Sequence, residues 1–198
     1  MKISAMRLEA LKEIGNIGTG HAATALSSLL ETRVNIEVPK VWLVPVEDLE
    51  KALGELEAIR VVLYLKVEGE APGKAVFVLP PPSAETIVQT LLRKPEPPNI
   101  YGDEMAQSAL QEVGNILVSS FVVALSQFSG VNLQPSVPAL GIDMIGAMID
   151  SILLEEGEID ENVLIIDTKL SGLEGVQGSF LYIPEGGSLD KLLGVFGI

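Results

Sequence analysis

Glu13-Ile14-Gly15-Asn16-Ile17 and Glu112-Val113-Gly114-Asn115-Ile116 are one pentapeptide written twice, 99 residues apart, with a single Ile/Val exchange. A proline follows each at the same distance: Pro39 lies 23 residues after Asn16, and Pro138 lies 23 after Asn115. Sliding Ser4–Pro39 onto Asp103–Pro138 without gaps gives twelve identities in thirty-six positions, far more than unrelated segments share. A weaker echo follows near offset 104, where Gly73–Pro80 resembles Gln177–Pro184. Two repeats are too few for a solenoid. The pattern implies a single domain spanning 1–198, built of two halves related by an approximate twofold. The halves cover about 1–95 and 100–198, joined by a proline-rich linker over 93–102 that holds Pro95, Pro97 and Pro98.

Each half reads as the same series of elements. Ser4 and Asp103 are matched N-caps for two long helices. The first carries Leu8, Leu11, Ile14 and Ile17 at helical spacing and ends near Leu30. The second runs through Met105, Ala109, Val113, Ile116 and Leu117 to about Phe128, with Gly130 as its stop. Extended segments follow at Val34–Val38 and Val41–Val46, then a short helix over Asp48–Leu56. Arg60–Val67 and Ala75–Leu79 form a strand pair joined by Gly-Glu-Ala-Pro-Gly turn chemistry, and Ser83–Leu92 is helical. In the second half, Ile142–Leu154 is an amphipathic helix candidate. Glu155–Asp160 is an acidic turn, Val163–Leu170 and Val176–Ile183 are the matching strands, and Leu189–Phe196 closes the chain as a helix. Tight turns between successive strands imply antiparallel pairing. The fold class is α+β: one mostly antiparallel sheet with the two long helices packed on it.

Composition narrows the function. The 198 residues carry 27 acids against 13 bases, a formal net charge of −14. No basic face is available to displace counterions, so nucleic acid and anionic membrane surfaces are excluded as partners. No run long enough to span a bilayer is free of polar residues. The best stretch, Val113–Leu125, is interrupted by Gly114, Asn115, Ser119 and Ser120, so membrane insertion is not expected. Cysteine is absent and no secretion signal opens the chain, which fits a cytoplasmic location. The single histidine, His21, cannot build a three-histidine zinc site, and its counterpart is Ser120.

The repeated pentapeptide carries the chemistry. Positions 9, 13 and 16 fall within roughly 60° on one helix face, and so do 108, 112 and 115. Leu11, Ile14 and Ile17 point elsewhere, so Glu13 and Asn16 should stand together on the less buried side. The neighbours have drifted, as in Arg7/Ala106, Lys12/Gln111, Gly18/Leu117 and Thr19/Val118, while the pair has stayed. The glycine between them lets something approach closely, either a partner's backbone or another element of this chain. No nucleophile-base pair can form from these residues, and one carboxylate with one amide makes a poor metal site. An amide can orient a water, accepting with its carbonyl and donating with its NH₂. Phosphoryl hydrolysis uses such a group where metal and counter-charge are already in place. The carboxylate can supply a charge-assisted contact to a cation on a partner. The other reading of the pair is a solvated helix face that repeats through duplication alone.

Glu-x-x-Asn followed after 22 residues by proline, present twice, resembles the CheC/CheX/FliY-type phosphatases of chemotaxis, and the likeness covers nearly the whole chain. The resemblance implies hydrolysis of the aspartyl phosphate of the response regulator CheY. Asn16 and Asn115 would position the attacking water, and Glu13 and Glu112 would pair with the regulator's active-site lysine. It implies no cofactor of the chain's own, since the Mg²⁺ belongs to the partner. The family pattern opens with Asp or Ser four residues before the Glu. The second site keeps Ser108, while the first has Glu9, and both are expected docking contacts. The family also implies a second partner, the receptor deamidase CheD, docking on Gly141–Met148, with Asp143 as a polar contact and Met144 and Met148 as an adaptable surface. A non-catalytic adaptor of the chemotaxis or flagellar-switch system that binds CheD is the alternative function. With the chain at −14, long-range attraction to an acidic regulator is not expected, and binding should be weak and transient.

Overall fold

Val61, Leu63, Leu65 and Val67 alternate with Val62, Tyr64 and Lys66, the period-two pattern of a strand with two different faces. In the computed structural model, which describes residues 5–194 except 156 and 174, these residues sit in the second of seven strands. The order is α1 (Ala5–Leu30), β1 (Asn35–Pro45), α2 (Leu49–Leu53), β2 (Ile59–Gly69), β3 (Gly73–Leu79) and α3 (Pro81–Leu92). The second half repeats it as α4 (Glu104–Ser129), β4 (Leu133–Pro135), β5 (Ala139–Met144), α5 (Ile145–Leu153), β6 (Asn162–Ser171), β7 (Val176–Pro184) and α6 (Ser188–Gly194).

All pairings are antiparallel, in the order β1-β6-β7-β3-β2, with β4 and β5 sharing the far edge on β2. The halves exchange strands: β1 of the first lies on β6 of the second, and β5 of the second lies on β2 of the first. They meet at β3 and β7, where Val76 faces Leu181 and Phe77 faces Phe180. At offset 104 Val76 is equivalent to Phe180 and Phe77 to Leu181, so the pseudo-twofold passes between these two pairs. One sheet face, with Leu63, Leu65, Phe77, Leu164, Ile166 and Phe180, is buried under α1, α3, α4 and α6. The other, with Val62, Val76, Ile165 and Leu181, is covered by α2 and α5.

The expected boundaries shift in three places. Val34–Val38 and Val41–Val46 are not separate segments. They form the single strand β1, whose register slips between Glu37 and Lys40, with Pro39 in the bulge. A proline has no N–H for the ladder and is tolerated at such a position. Pro138 sits in the matching break between β4 and β5. The helix expected over Ile142–Leu154 begins only at Ile145, because Ile142 and Asp143 are claimed by the edge of β2 opposite Val61 and Arg60. The expected helix over Asp48–Leu56 shrinks to α2 behind a single 3-10 turn. Ser4, the expected first cap, and the last residues of the closing helix lie outside the described residues.

Asp103 caps α4 as expected, its carboxylate accepting from the amides of Met105 and Ala106 at 3.0 and 3.4 Å. The hydrogen bond from Lys94 beside it holds this carboxyl below its usual range, so the cap is anionic where the helix dipole favours negative charge. Within the linker region Arg93, left-handed at the end of α3, pairs with Glu31 at the end of α1. Lys74, almost wholly buried, donates to the carbonyls of Ile152 and Glu155 and pairs with Glu185 at 3.2 Å, tying the C-terminal end of α5 to the sheet.

The repeated Ser27/Ser126 has a structural duty. The Val34 amide donates to Ser27 Oγ at 2.9 Å, and the equivalent Leu133 amide donates to Ser126 Oγ at 3.4 Å. Each hydroxyl satisfies an amide where the chain passes from helix to strand, Val34 just before β1 and Leu133 at the start of β4. Ser27→Ala orphans the amide of buried Val34 and is expected to cost about 1–3 kcal/mol of unfolding free energy in a urea titration.

Candidate active site on the paired helices

α1 and α4 lie side by side in one layer. Gly18 brings them close, since a Cβ there would stand 3.1 Å from Phe121 Cδ1 and 3.2 Å from Ala124 Cβ. By composition and length α4 is apolar enough to cross a membrane, yet Leu110, Val113, Leu117, Phe121 and Leu125 are buried, which makes it the core helix of this fold. Phe121 stacks on Phe180 of β7 with ring centroids 4.6 Å apart. On α1, Leu11, Ile14 and Leu26 face inward in the same way.

The polar stripe faces the other way. Glu9, Glu13 and Asn16 are exposed on α1, Ser108 and Glu112 are exposed on α4, and Asn115 is half-buried. Among the described residues, neither Glu13 nor Glu112 has a hydrogen-bond or ion-pair partner. Both carboxylates are therefore open to an external cation at no cost in lost internal bonds. No described group of three or more histidine, aspartate or glutamate side chains converges as a metal site. His21 is exposed on α1.

The glycine inside each pentapeptide is turned inward, and of the two readings it is the neighbouring element of this chain that approaches. A Cβ on Gly114 would lie 2.4 Å from Leu63 Cδ2 of β2, while one on Gly15 would meet Val38 Cγ1 at 3.4 Å. Gly114 sets how low α4 rides on the sheet, whereas Gly15 leaves room for ordinary contacts beneath α1, and in both helices the Glu and Asn stand on the side turned away from the sheet. Pro39, in the bulge of β1, and Pro138, between β4 and β5, lie at the two edges of the sheet and not on the helical stripe.

The asparagines differ in one contact. Ser119 Oγ donates to Asn115 Oδ1 at 3.1 Å, whereas the equivalent position on α1 is Gly20. Ser119 carries no mark in the repeat, because its counterpart has no side chain. Only the i,i+4 spacing from Asn115 could have pointed to it. Asp143 is exposed at the end of β5, where its Oδ1 accepts from the Met144 amide at 2.8 Å. It stands apart from the helical stripe, on the strand edge before α5.

Glu-x-x-Asn thus faces outward from both long helices of a layer packed on one antiparallel sheet. The CheC-like family model matches twice, at residues 6–43 and 105–142, at the same 99-residue offset as the pentapeptides. The chain is 32% identical over 96% of its length to the CheY-P phosphatase CheC of Bacillus subtilis, covering 94% of that protein. It is 30% identical to the putative CheY-P phosphatase CheC1 of Halobacterium salinarum, over 85% of this chain and 84% of that one. It belongs to the CheC-like family. Among solved structures, FliY of Thermotoga maritima superposes with a TM-score of 0.77 at 22% identity, covering 100% of this chain and 98% of that one. The FliM middle domain of Helicobacter pylori shares the fold at a TM-score of 0.64 and 13% identity, over 98% of this chain and 99% of that one.

Proposed function

We propose that this chain hydrolyses the aspartyl phosphate of phosphorylated CheY in the cytoplasm. The observation that carries the reading is the outward Glu and Asn on both α1 and α4, in a chain 32% identical to a CheY-P phosphatase over nearly its full length. Glu13 or Glu112 docks on the regulator's active-site lysine, helped by Glu9 or Ser108 at the rim. Asn16 or Asn115 holds a water in line with the phosphorus. The water oxygen forms the new bond to phosphorus, the bond to the aspartate oxygen breaks, and the carboxylate and inorganic phosphate leave with one proton released to solvent. Charge on the phosphoryl oxygens is met by Mg²⁺ in the regulator, so this chain supplies position rather than a Lewis acid. The test is phosphate loss from radiolabelled CheY in Mg²⁺ buffer. Catalytic amounts of the chain should accelerate it, and an unchanged decay at every concentration would refute the reading.

A second reading, binding of CheD, rests on a different surface. Met144 is 42% exposed beside Asp143, and Gly141 and Met148 line an apolar groove of about 180 Å³ between β5 and α5. Gly141 leaves room for the Met148 methyl, which a Cβ would meet at 2.2 Å. A CheD docked there leaves both helical stripes free. Asp143→Lys should abolish capture of CheD in a pull-down while phosphate release from CheY is unchanged. Undiminished capture would remove Asp143 from that interface.

A further inference from the structure

We propose that Ser119 is a positioning residue that makes the two sites unequal, a step that rests on the phosphatase reading above. Several helix serines and threonines in this protein return their hydroxyls to the carbonyl one turn back. Ser27 donates to Ala23 O at 2.6 Å, Ser28 to Thr24 O at 3.2 Å, Ser151 to Ala147 O at 2.8 Å, and Thr24 to Gly20 O at 3.0 Å. That is the ordinary local bond of such residues. Ser119 reaches instead to the side chain one turn back, the Oδ1 of Asn115, at 3.1 Å.

The consequence is orientational. The free carboxamide of an asparagine turns readily about its last torsion, which has broad minima. A hydroxyl donating to Oδ1 fixes which end of the amide faces the helix and which faces outward. The NH₂ of Asn115 is then presented to solvent with both of its donors available, and one lone pair of Oδ1 remains to accept from a water. Asn115 is half-buried beside this bond, which further limits its freedom.

The first site lacks the device. Gly20 stands where Ser119 would be, and the described residues give the Asn16 carboxamide no hydrogen-bond partner. Thr19, the nearest hydroxyl along the chain, is committed to the Asn16 main-chain carbonyl at 2.8 Å. Asn16 must be oriented by the regulator itself, after docking. The second site is preorganised and the first is not, and the difference falls on turnover rather than on docking.

The experiment isolates each site. In an Asn16→Ala background, where only the second site works, Ser119→Ala should lower kcat about three- to tenfold, the range set by one lost neutral hydrogen bond. KM for phosphorylated CheY should stay the same. Alanine is a better helix former than serine, so the loss will not be one of folding. In an Asn115→Ala background, Gly20→Ser should raise kcat by a similar factor, while Gly20→Ala should not. The position is open, with nothing within 4 Å of a Cβ there. Unchanged kcat in Ser119→Ala, a change confined to KM, or equal effects of serine and alanine at 20 would each overturn the proposal. If the Asn16→Ala/Asn115→Ala double variant stays fully active, water positioning by the two amides falls with the proposal, and if the unsubstituted chain leaves the decay of phosphorylated CheY unchanged, the phosphatase reading itself falls. A dead double variant with a fully active Ser119→Ala would sink the positioning role alone.

Discussion

The double variant Asn16→Ala/Asn115→Ala is expected to leave phosphorylated CheY decaying at its own unassisted rate. Each single variant should retain activity from the other helix. Both side chains lie outside the buried set that holds α1 and α4 to the sheet, and alanine is the better helix former, so neither change threatens the fold. What is lost is the group that holds the water in line. Removing one preorganised polar group at a reacting centre costs about 10²–10³ in rate in well-studied enzymes, so the doubly substituted chain should fall below detection against spontaneous hydrolysis. Asn115→Ala should cost at least as much as Asn16→Ala. Ser119 already orients Asn115, and the second site keeps the family's Ser108 where the first has Glu9. Full activity in the double variant would rule out water positioning by these amides, whatever the glutamates do. Glu13→Ala and Glu112→Ala act differently: losing a docking contact raises KM more than it lowers kcat.

The elements were legible where a local signal and the repeat agreed. Asp103 announced the start of α4 and Gly130 its end, and both stand there, with Gly130 left-handed at the C-cap. Of the apolar residues picked by spacing, Leu11, Ile14, Ala109, Val113 and Leu117 are buried, but Met105 is 62% exposed at the start of α4 and the side chain of Leu8 lies outside the described residues. The outward direction of Glu13, Asn16 and Glu112 followed from what the spacing left over. Strand pairing across the halves was not legible. Residues of β1 and β6 such as Trp42 and Ile165 pair across more than a hundred residues, and nothing in an alternating strand names its partner. The boundary at Ile145 failed for a related reason. Ile142, Met144 and Met148 suit a strand edge or a helix face equally, and the unfilled edge of β2 decides between them. At the site, the Glu–Asn pair was visible because both copies keep it. Ser119 was invisible because one copy does not have it.

Gly114→Ala and Gly15→Ala should have opposite effects on stability, although the two glycines occupy the same place in the repeat. Gly15 has room: the nearest atoms to an added Cβ are Val38 Cγ1 at 3.4 Å, Val38 Cγ2 at 3.5 Å and Ile166 Cγ2 at 3.6 Å, ordinary contacts. Alanine there should gain the helix-interior preference over glycine, about 0.5–1 kcal/mol. At Gly114 the same methyl would fall 2.4, 2.5 and 2.7 Å from three carbons of the Leu63 side chain. Leu63 is wholly buried on β2, so it has no vacant volume to turn into. Either Leu63 leaves its preferred rotamer or α4 rises from the sheet, and overpacking of this kind costs about 1–3 kcal/mol, more than the propensity gain returns. Denaturant midpoints should therefore move up for Gly15→Ala and down for Gly114→Ala. Leu63→Ala opens a cavity and is destabilising alone, but it removes the obstacle. Combined with Gly114→Ala, the loss should be smaller than the sum of the two single losses, a coupling that a double-mutant cycle reads directly. Additive losses would mean that Leu63 does not set the height of α4. The site depends on that height, because Asn115 is the next residue along the helix, and a helix lifted off Leu63 carries the amide out of line with any phosphoryl group that Glu112 has docked.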